Sequence, residues 1–166
     1  MKKIIYILLV FIVSISSVFP KTDKPNSDEF INPVLSKEQG PDPFVYRHTD
    51  GYYYGMHTVM DANGYTHKVV LYKNKTLSDL YINGEKKYVF ETPKDGKWNG
   101  GDVWAPEIYN FNGVWYIYYS VNFKIGVLSN TNANPMEGEW KDEGRILKNE
   151  AWAIDASIFK QNDKMY

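Results

Sequence analysis

The chain has 166 residues, of which 43% are hydrophobic and 23% are charged, a composition typical of a globular domain rather than a disordered tail. Its 19 basic and 20 acidic residues give a net charge of −1, which excludes the basic field that nucleic-acid binding requires. Cysteine is absent, so disulfides, thiolate metal sites and cysteine nucleophiles are excluded as well.

The pattern of residues 1–20 predicts a secretory signal peptide. Lys2 and Lys3 precede an apolar run from Ile4 to Val13, and small residues follow. The alternative is a membrane anchor, which needs about 20 apolar residues, whereas this run is half as long. Residues 21–30 are polar and are interpreted as a linker. We therefore expect a secreted protein, periplasmic or extracellular, that has no membrane contact after cleavage.

From residue 31 onward, the sequence predicts short strands separated by tight turns, and its 16% of aromatic residues fits an all-β fold. Lys75–Leu80 is the strongest candidate for a helical segment, and Asn83-Gly84 predicts the turn of a hairpin. The predicted strands, in chain order, are Phe44–Tyr46, Tyr52–Tyr54, Lys68–Tyr72, Leu80–Ile82, Tyr88–Phe90, Glu107–Phe111, Val114–Val121, Phe123–Leu128, Asp155–Phe159 and Lys164–Tyr166.

Three of these strand pairs resemble copies of one unit, and each unit opens with an acid: Asp42, Glu107 or Asp155. An all-strand repeat with spacings of 65 and 48 residues predicts the blades of a β-propeller. The innermost strand of each blade lines the central axis, so acids at the starts of these strands would converge on one funnel. The alternative is an antiparallel sandwich, whose strand-end acids would scatter over the surface.

The third unit reaches Tyr166 in the middle of its second strand. Two blades and part of a third cannot close a ring, because propellers typically have about 4–8 blades. We therefore expect residues 31–166 to be a partial propeller, truncated at its C-terminus, within a longer protein. The alternative is a small complete domain whose last strand forms a sheet edge.

Two acids are candidates for proton transfer. Asp42 lies between Pro41 and Pro43, which restrict the backbone and suit a base that must aim at one water. Asp155 lies in an otherwise apolar run, where desolvation or a second carboxylate would raise its pKa. The alternatives are an ordinary turn for Asp42 and a strand-end acid bonded to backbone amides for Asp155.

A tryptophan and an acid are candidates for sugar binding. Trp104 stands three residues before Glu107, and an exposed indole offers a flat face to a sugar while a carboxylate accepts hydrogen bonds from hydroxyls. The alternative is that Trp104 fills space between blades and Glu107 is structural. His48, His57 and His67 lack the spacing of a metal site, so no metal is assigned.

Seven short segments together carry a resemblance to one family. They are Asn32–Leu35, Gly40–Val45, Asp50–Tyr54, Trp104–Ile108, Asn112–Tyr119, Asn134–Trp140 and Trp152–Asp155. In this order they resemble the first blade, the second blade and the approach to the third blade of glycoside hydrolase family 43. The resemblance covers roughly residues 31–166 and points to the extracellular α-L-arabinofuranosidase-like branch.

The resemblance implies a five-bladed β-propeller, of which about the first two and a half blades are present. It implies that Asp42 is the general base of an inverting glycosidase and that Asp155 orients the general acid and modulates its pKa. The family's acid, a glutamate, lies beyond the end of this chain, and Glu107 belongs to a different motif. We therefore expect this chain alone to be inactive, because inversion needs a base and an acid about 6.5–9.5 Å apart.

The expected function is hydrolysis of O-glycosyl bonds in arabinose- or xylose-containing plant polysaccharides, foremost as an α-L-arabinofuranosidase. The expected partners are arabinan, arabinoxylan or their oligosaccharides, and no cofactor is expected. A structural ion in the complete propeller is not assigned to residues of this chain. The alternatives are a non-catalytic carbohydrate-binding or degenerate propeller piece, and a β-xylosidase or endo-arabinanase of the same architecture.

Overall fold

A computed structural model describes residues 40–94, 96–147, 152–162 and 164–166. Within these ranges the chain is all-β, and no helix capable of crossing a membrane occurs there. The predicted signal peptide and linker, residues 1–30, lie outside the described residues.

Two four-stranded antiparallel sheets and one short hairpin make up the described part of the chain. The first sheet contains β1 (Phe44–Arg47), β2 (Tyr53–Met56), β3 (Lys68–Asn74) and β4 (Glu85–Glu91). The second sheet contains β5 (Val103–Phe111), β6 (Val114–Val121), β7 (Lys124–Asn130) and β8 (Lys141–Arg145). The hairpin contains β9 (Lys160–Gln161) and β10 (Lys164–Met165). In each sheet every strand pairs with the next one along the chain, which is the topology of a propeller blade.

The main core lies between the two four-stranded sheets. Tyr54 and Met56 of β2 face Trp115 and Ile117 of β6, and all four side chains are fully buried. The rings of Tyr54 and Trp115 lie with their centroids 4.7 Å apart. Side chains alternate between the two faces of β6. The face opposite Trp115 and Ile117 contacts residues that follow the second sheet in the chain. The two sheets therefore stack face to face as consecutive blades.

Most predicted strands are confirmed, with some changes at their ends. β5 begins at Val103, four residues before the predicted start at Glu107. β8 was not predicted, because Lys141–Arg145 is polar and mostly exposed and lacks an apolar pattern. Asp155–Phe159 is not assigned as a strand, and the hairpin that follows has only two residues in each strand. The backbone of residues 153–158 instead forms hydrogen bonds with the second sheet.

The predicted hairpin around Asn83-Gly84 is wrong. The amide of Leu80 donates to the carbonyl of Leu77 at 3.2 Å, and that of Asn83 donates to the carbonyl of Asp79 at 2.9 Å. These are successive turns, so Leu80–Ile82 is not a strand and the predicted helical segment Lys75–Leu80 is not a helix.

The reason is that this turn segment covers the first sheet. Leu80 is fully buried, and the hydroxyl of Tyr81 donates to the carbonyl oxygens of Phe44 and Met56 at 2.8 and 3.0 Å. The segment therefore contributes Leu80 and Tyr81 to packing, while β4 pairs with β3.

Candidate active site

Three non-glycine residues with left-handed backbone stand where the three units begin. Their φ angles are 55° at Asp42, 44° at Ala105 and 57° at Asp155. The five residues from each of these points read DPFVY, APEIY and DASIF, so the units align without gaps over this stretch. The predicted equivalence of Glu107 with the two aspartates is therefore wrong by two positions, because the left-handed residue of the second unit is Ala105.

Left-handed backbone at these positions has an energetic cost. A non-glycine residue held in this region costs about 1–3 kcal/mol and persists only where its surroundings fix it. Such residues cluster at functional sites, where a side chain must be presented in a direction that regular strand geometry does not allow. At Asp42 and Asp155 the left-handed backbone presents a carboxylate, whereas at Ala105 it presents only a methyl group.

Asp42 is exposed, and one of its carboxylate oxygens is held by a neighbouring loop. The hydroxyl of Thr58 donates to Oδ2 of Asp42 at 2.6 Å, and the amide of Thr58 donates to the carbonyl of Pro41 at 3.0 Å. A carboxylate that is fixed in direction and open to solvent can accept a proton from a bound water. A general base needs such an arrangement, and the role of Asp42 as the base stays a prediction.

Asp155 is attached to the second sheet through its backbone. Its amide donates to the hydroxyl of Ser120 on β6 at 2.7 Å, while its side chain is exposed. The apolar run around Asp155 leaves open either a buried carboxylate or a strand-end acid; the structure exposes the Asp155 carboxylate, and Trp152 in the same run is 67% exposed. The run instead lies along the surface of the second sheet.

A chain of contacts connects the two aspartates, which are 113 residues apart in sequence. The hydroxyl of Thr58, bonded to Asp42, also accepts a hydrogen bond from the amide of Ala105 at 2.9 Å. The preceding residue, Trp104, pairs across the sheet with Ser120, which holds Asp155. The hydroxyl-bearing residues that hold the two aspartates, Thr58 and Ser120, therefore contact two consecutive residues near the start of β5.

Aromatic side chains lie beside these residues and form an exposed surface. Trp104 is half-buried and lies 5.9 Å from Phe123, and the ring of Phe123 stacks on Trp152 at 5.5 Å. The amide of Ala153 donates to the carbonyl of Phe123 at 2.9 Å, which fixes the approach to Asp155. We call Trp104, Phe123 and Trp152 the aromatic ledge. Its exposed faces can stack against the apolar face of a sugar ring.

Sequence reasoning singled out Trp104 and missed the other two members of the ledge. Phe123 follows Asn122 in the turn between β6 and β7, and both have positive φ, at 57° and 48°. Asparagine is common in such turns, whereas a bulky aromatic residue there is an outlier. The sequence feature that could have identified Phe123 is therefore its position as an aromatic residue in a two-residue turn.

Glu107 is linked to the third unit through Tyr109 of the same strand. Its carboxylate accepts a hydrogen bond from the hydroxyl of Tyr109, and that hydroxyl in turn accepts one from the amide of Ile158 at 3.0 Å. Burial, together with the hydrogen bond to Glu107, raises the pKa of Tyr109, so its hydroxyl remains protonated and donates. Glu107 therefore supports the junction between β5 and residues 157–158, and its role in sugar binding stays a prediction.

The described residues contain no group of three or more histidine, cysteine, aspartate or glutamate side chains arranged to hold a metal ion. His57 is buried, with Nδ1 donating to the carbonyl of Thr58 at 2.9 Å and Nε2 at 3.2 Å from the hydroxyl of Tyr72. This histidine contributes to the structure behind Thr58.

Comparison with known proteins places this geometry in a family. The chain is 28% identical over 150 residues to an extracellular exo-α-(1→5)-L-arabinofuranosidase of Streptomyces chartreusis, covering 86% of this chain and 43% of that protein. It is 32% identical over 135 residues to α-L-arabinofuranosidase 43 of Humicola insolens, covering 77% and 27%. The chain thus spans less than half the length of these relatives.

A solved structure gives the same result for the fold. The chain superposes on the crystal structure of an α-L-arabinofuranosidase from Lactobacillus brevis with a TM-score of 0.73 and 27% identity, covering 85% of this chain and 46% of that one. The architecture is that of a five-bladed β-propeller, of which the chain provides about two and a half blades. Residues 30–166 match the model of glycosyl hydrolases family 43, and the chain belongs to that family.

Proposed function

We propose that the whole protein containing this chain is a secreted α-L-arabinofuranosidase that hydrolyses arabinan and arabinoxylan side chains with inversion. The observation that carries this proposal is that Thr58, which holds Asp42, and Ser120, which holds Asp155, contact two adjacent residues of β5 beside the aromatic ledge. The relatives described above are named arabinofuranosidases, and one of them is named extracellular, which supports both the substrate class and secretion.

The proposed mechanism is a single displacement at the anomeric carbon. Asp42 removes a proton from a water molecule while the water oxygen forms a bond to that carbon. The glycosidic carbon–oxygen bond breaks on the opposite face, and a carboxylic acid from outside these 166 residues protonates the departing oxygen. Proton transfers of this kind typically contribute about 10²–10⁴-fold each to the rate.

The residues around the base divide the remaining tasks. The aromatic ledge stacks on the sugar and holds the anomeric carbon in front of Asp42. Asp155 lies on the other side of Trp104 and Ala105 in the contact chain, and its negative charge favours the protonated form of a neighbouring acid.

The whole protein, expressed from its complete reading frame, is expected to cleave 4-nitrophenyl α-L-arabinofuranoside faster than 4-nitrophenyl β-xyloside. Proton NMR of the first product formed should show β-arabinofuranose, because displacement by water inverts the α linkage. Linear arabinan is expected to yield arabinose alone, which chromatography of the products would detect.

Other results of the same experiment identify the competing functions. Faster cleavage of the xyloside would reassign the protein as a β-xylosidase, and oligosaccharides of mixed length from linear arabinan would indicate an endo-arabinanase. Arabino-oligosaccharide binding without hydrolysis would indicate a non-catalytic binding protein. An α-configured first product would overturn the inverting mechanism.

A further inference from the structure

A buried hydroxyl occupies the same position in each of the first two blades. Phe44 pairs with Met56 in the first sheet, and continuing this register by two residues sets Asp42 opposite Thr58. In the second sheet, Ser120 lies opposite Trp104, where the register shifts next to Ala105. Thr58 is 4% exposed and Ser120 is fully buried.

Each of these hydroxyls holds the first residue of the next blade. Thr58 Oγ1 accepts the amide of Ala105 at 2.9 Å, and Ser120 Oγ accepts the amide of Asp155 at 2.7 Å. Both amides belong to left-handed residues, which leave the regular strand ladder at this point and need a partner outside it. Each of the two blades thus fixes the left-handed residue that opens the next blade through the same contact, a buried hydroxyl that accepts the backbone amide of that residue.

Thr58 differs from Ser120 because its own blade begins with a carboxylate. A hydroxyl has one hydrogen to donate and lone pairs that accept. Since the amide of Ala105 occupies a lone pair of Thr58 Oγ1, the single hydrogen is directed to Oδ2 of Asp42, 2.6 Å away. In the second blade the equivalent residue is Ala105, which offers no such acceptor.

The backbone of Thr58 is fixed from two further directions. Its amide donates to the carbonyl of Pro41 at 3.0 Å, and its carbonyl accepts from Nδ1 of buried His57 at 2.9 Å. Nε2 of His57 lies 3.2 Å from the hydroxyl of Tyr72, within hydrogen-bond distance, which anchors the histidine on β3. With the backbone of Thr58 fixed in this way, rotating its side chain away from Asp42 would break the hydrogen bond that Oγ1 accepts from the amide of Ala105.

We propose that Thr58 is the positioning residue of the general base, holding the Asp42 carboxylate in one direction and tying that direction to the second blade through Ala105. The proposal rests on the proposed function, because it requires Asp42 to be the base. It assigns Thr58 no contact with substrate; the hydroxyl acts through the aspartate.

The test compares Thr58→Val, which removes the hydroxyl at constant shape, with Thr58→Ser, which keeps it. With 4-nitrophenyl α-L-arabinofuranoside and the whole protein, Thr58→Val is expected to lower kcat about 10- to 100-fold with KM changed less than about twofold. Thr58→Ser is expected to restore kcat to within about threefold of the unmodified protein. The matched control is Thr66→Val, since Thr66 is equally buried and its hydroxyl has no partner among the described residues.

A double-mutant cycle separates positioning from a general structural role. Thr58→Val is expected to have no further effect on kcat in an Asp42→Asn background, because the two residues act through one contact. Unchanged kcat in Thr58→Val, or equal losses in the valine and serine variants, would overturn the proposal. If the valine variant does not fold, Thr58→Ala takes its place in the same comparison.

The proposed function fails in a different way. It fails if the unmodified protein has no glycosidase activity, or if Asp42→Asn retains full turnover. The positioning role of Thr58 fails when the unmodified protein is active and Asp42→Asn is not, yet removal of the Thr58 hydroxyl leaves kcat unchanged.

Discussion

Replacing Asp42 with asparagine in the whole protein is expected to lower kcat for aryl α-L-arabinofuranosides by about 10²–10⁴-fold, while KM changes little. An amide cannot take a proton from water at neutral pH, so the step that generates the nucleophile is lost. Asparagine still offers a side-chain oxygen to the hydroxyl of Thr58, so the local structure is preserved. Initial rates of 4-nitrophenol release measure the effect.

A matched charge removal controls for indirect effects. Glu139 is exposed and lies on the loop before β8, so Glu139→Gln removes one negative charge without touching the site. We expect this variant to keep the kcat of the unmodified protein. Turnover by Asp42→Asn equal to that of Glu139→Gln would show that Asp42 is not the base.

The second large effect concerns stability. Trp115→Ala is expected to destabilise the protein by about 3–5 kcal/mol, because it opens a cavity at the centre of the interface between the two blades. The indole is fully buried, lies against Tyr54 and His48, and donates from Nε1 to the carbonyl of Ala133 at 3.3 Å. Chemical denaturation followed by circular dichroism measures the change in the free energy of unfolding.

Trp152→Ala is the control for this substitution, because the same side chain is removed from an exposed position. We expect it to change the free energy of unfolding by less than about 0.5 kcal/mol. Equal destabilisation by the two variants would mean that the packing of the first two blades does not depend on Trp115.

The strands that sequence reasoning located are those with strong local signals. β6 is rich in aromatic and β-branched residues and follows the Asn112-Gly113 turn, so its type and position could be predicted closely. β8 lies at the outer edge of its sheet. Its pairing with β7 is made by backbone groups, so its side chains can be polar and need no apolar face. Its sequence therefore carries no strand pattern.

The turn segment that covers the first sheet shows a second limit of sequence reasoning. Leu80–Ile82 has the composition of a strand, and Asn83-Gly84 is a strong hairpin signal. Tertiary contacts decide otherwise, because Leu80 and Tyr81 pack on the sheet that β3 and β4 already complete. A local pattern cannot reveal that β3 and β4 already pair with each other.

The residues of the candidate site could be proposed from sequence, but the register that aligns the three units could not. Asp42 and Asp155 could be singled out from sequence, yet matching units by their acids placed Glu107 at a position that belongs to Ala105. Backbone conformation, rather than side-chain charge, defines the equivalent positions. Thr58 could not be recognised at all, because its importance lies in contacts with residues 16 and 47 positions away in the chain.

The most direct test of the account is a crystal structure of the whole protein carrying Asp42→Asn, in complex with an arabino-oligosaccharide. We expect one sugar to lie on Trp104 with its anomeric carbon facing a water held by residue 42, and Asp155 to line the same cavity. Sugar bound elsewhere, or residues 42 and 155 on opposite sides of the molecule, would contradict the convergence of the two aspartates on one site.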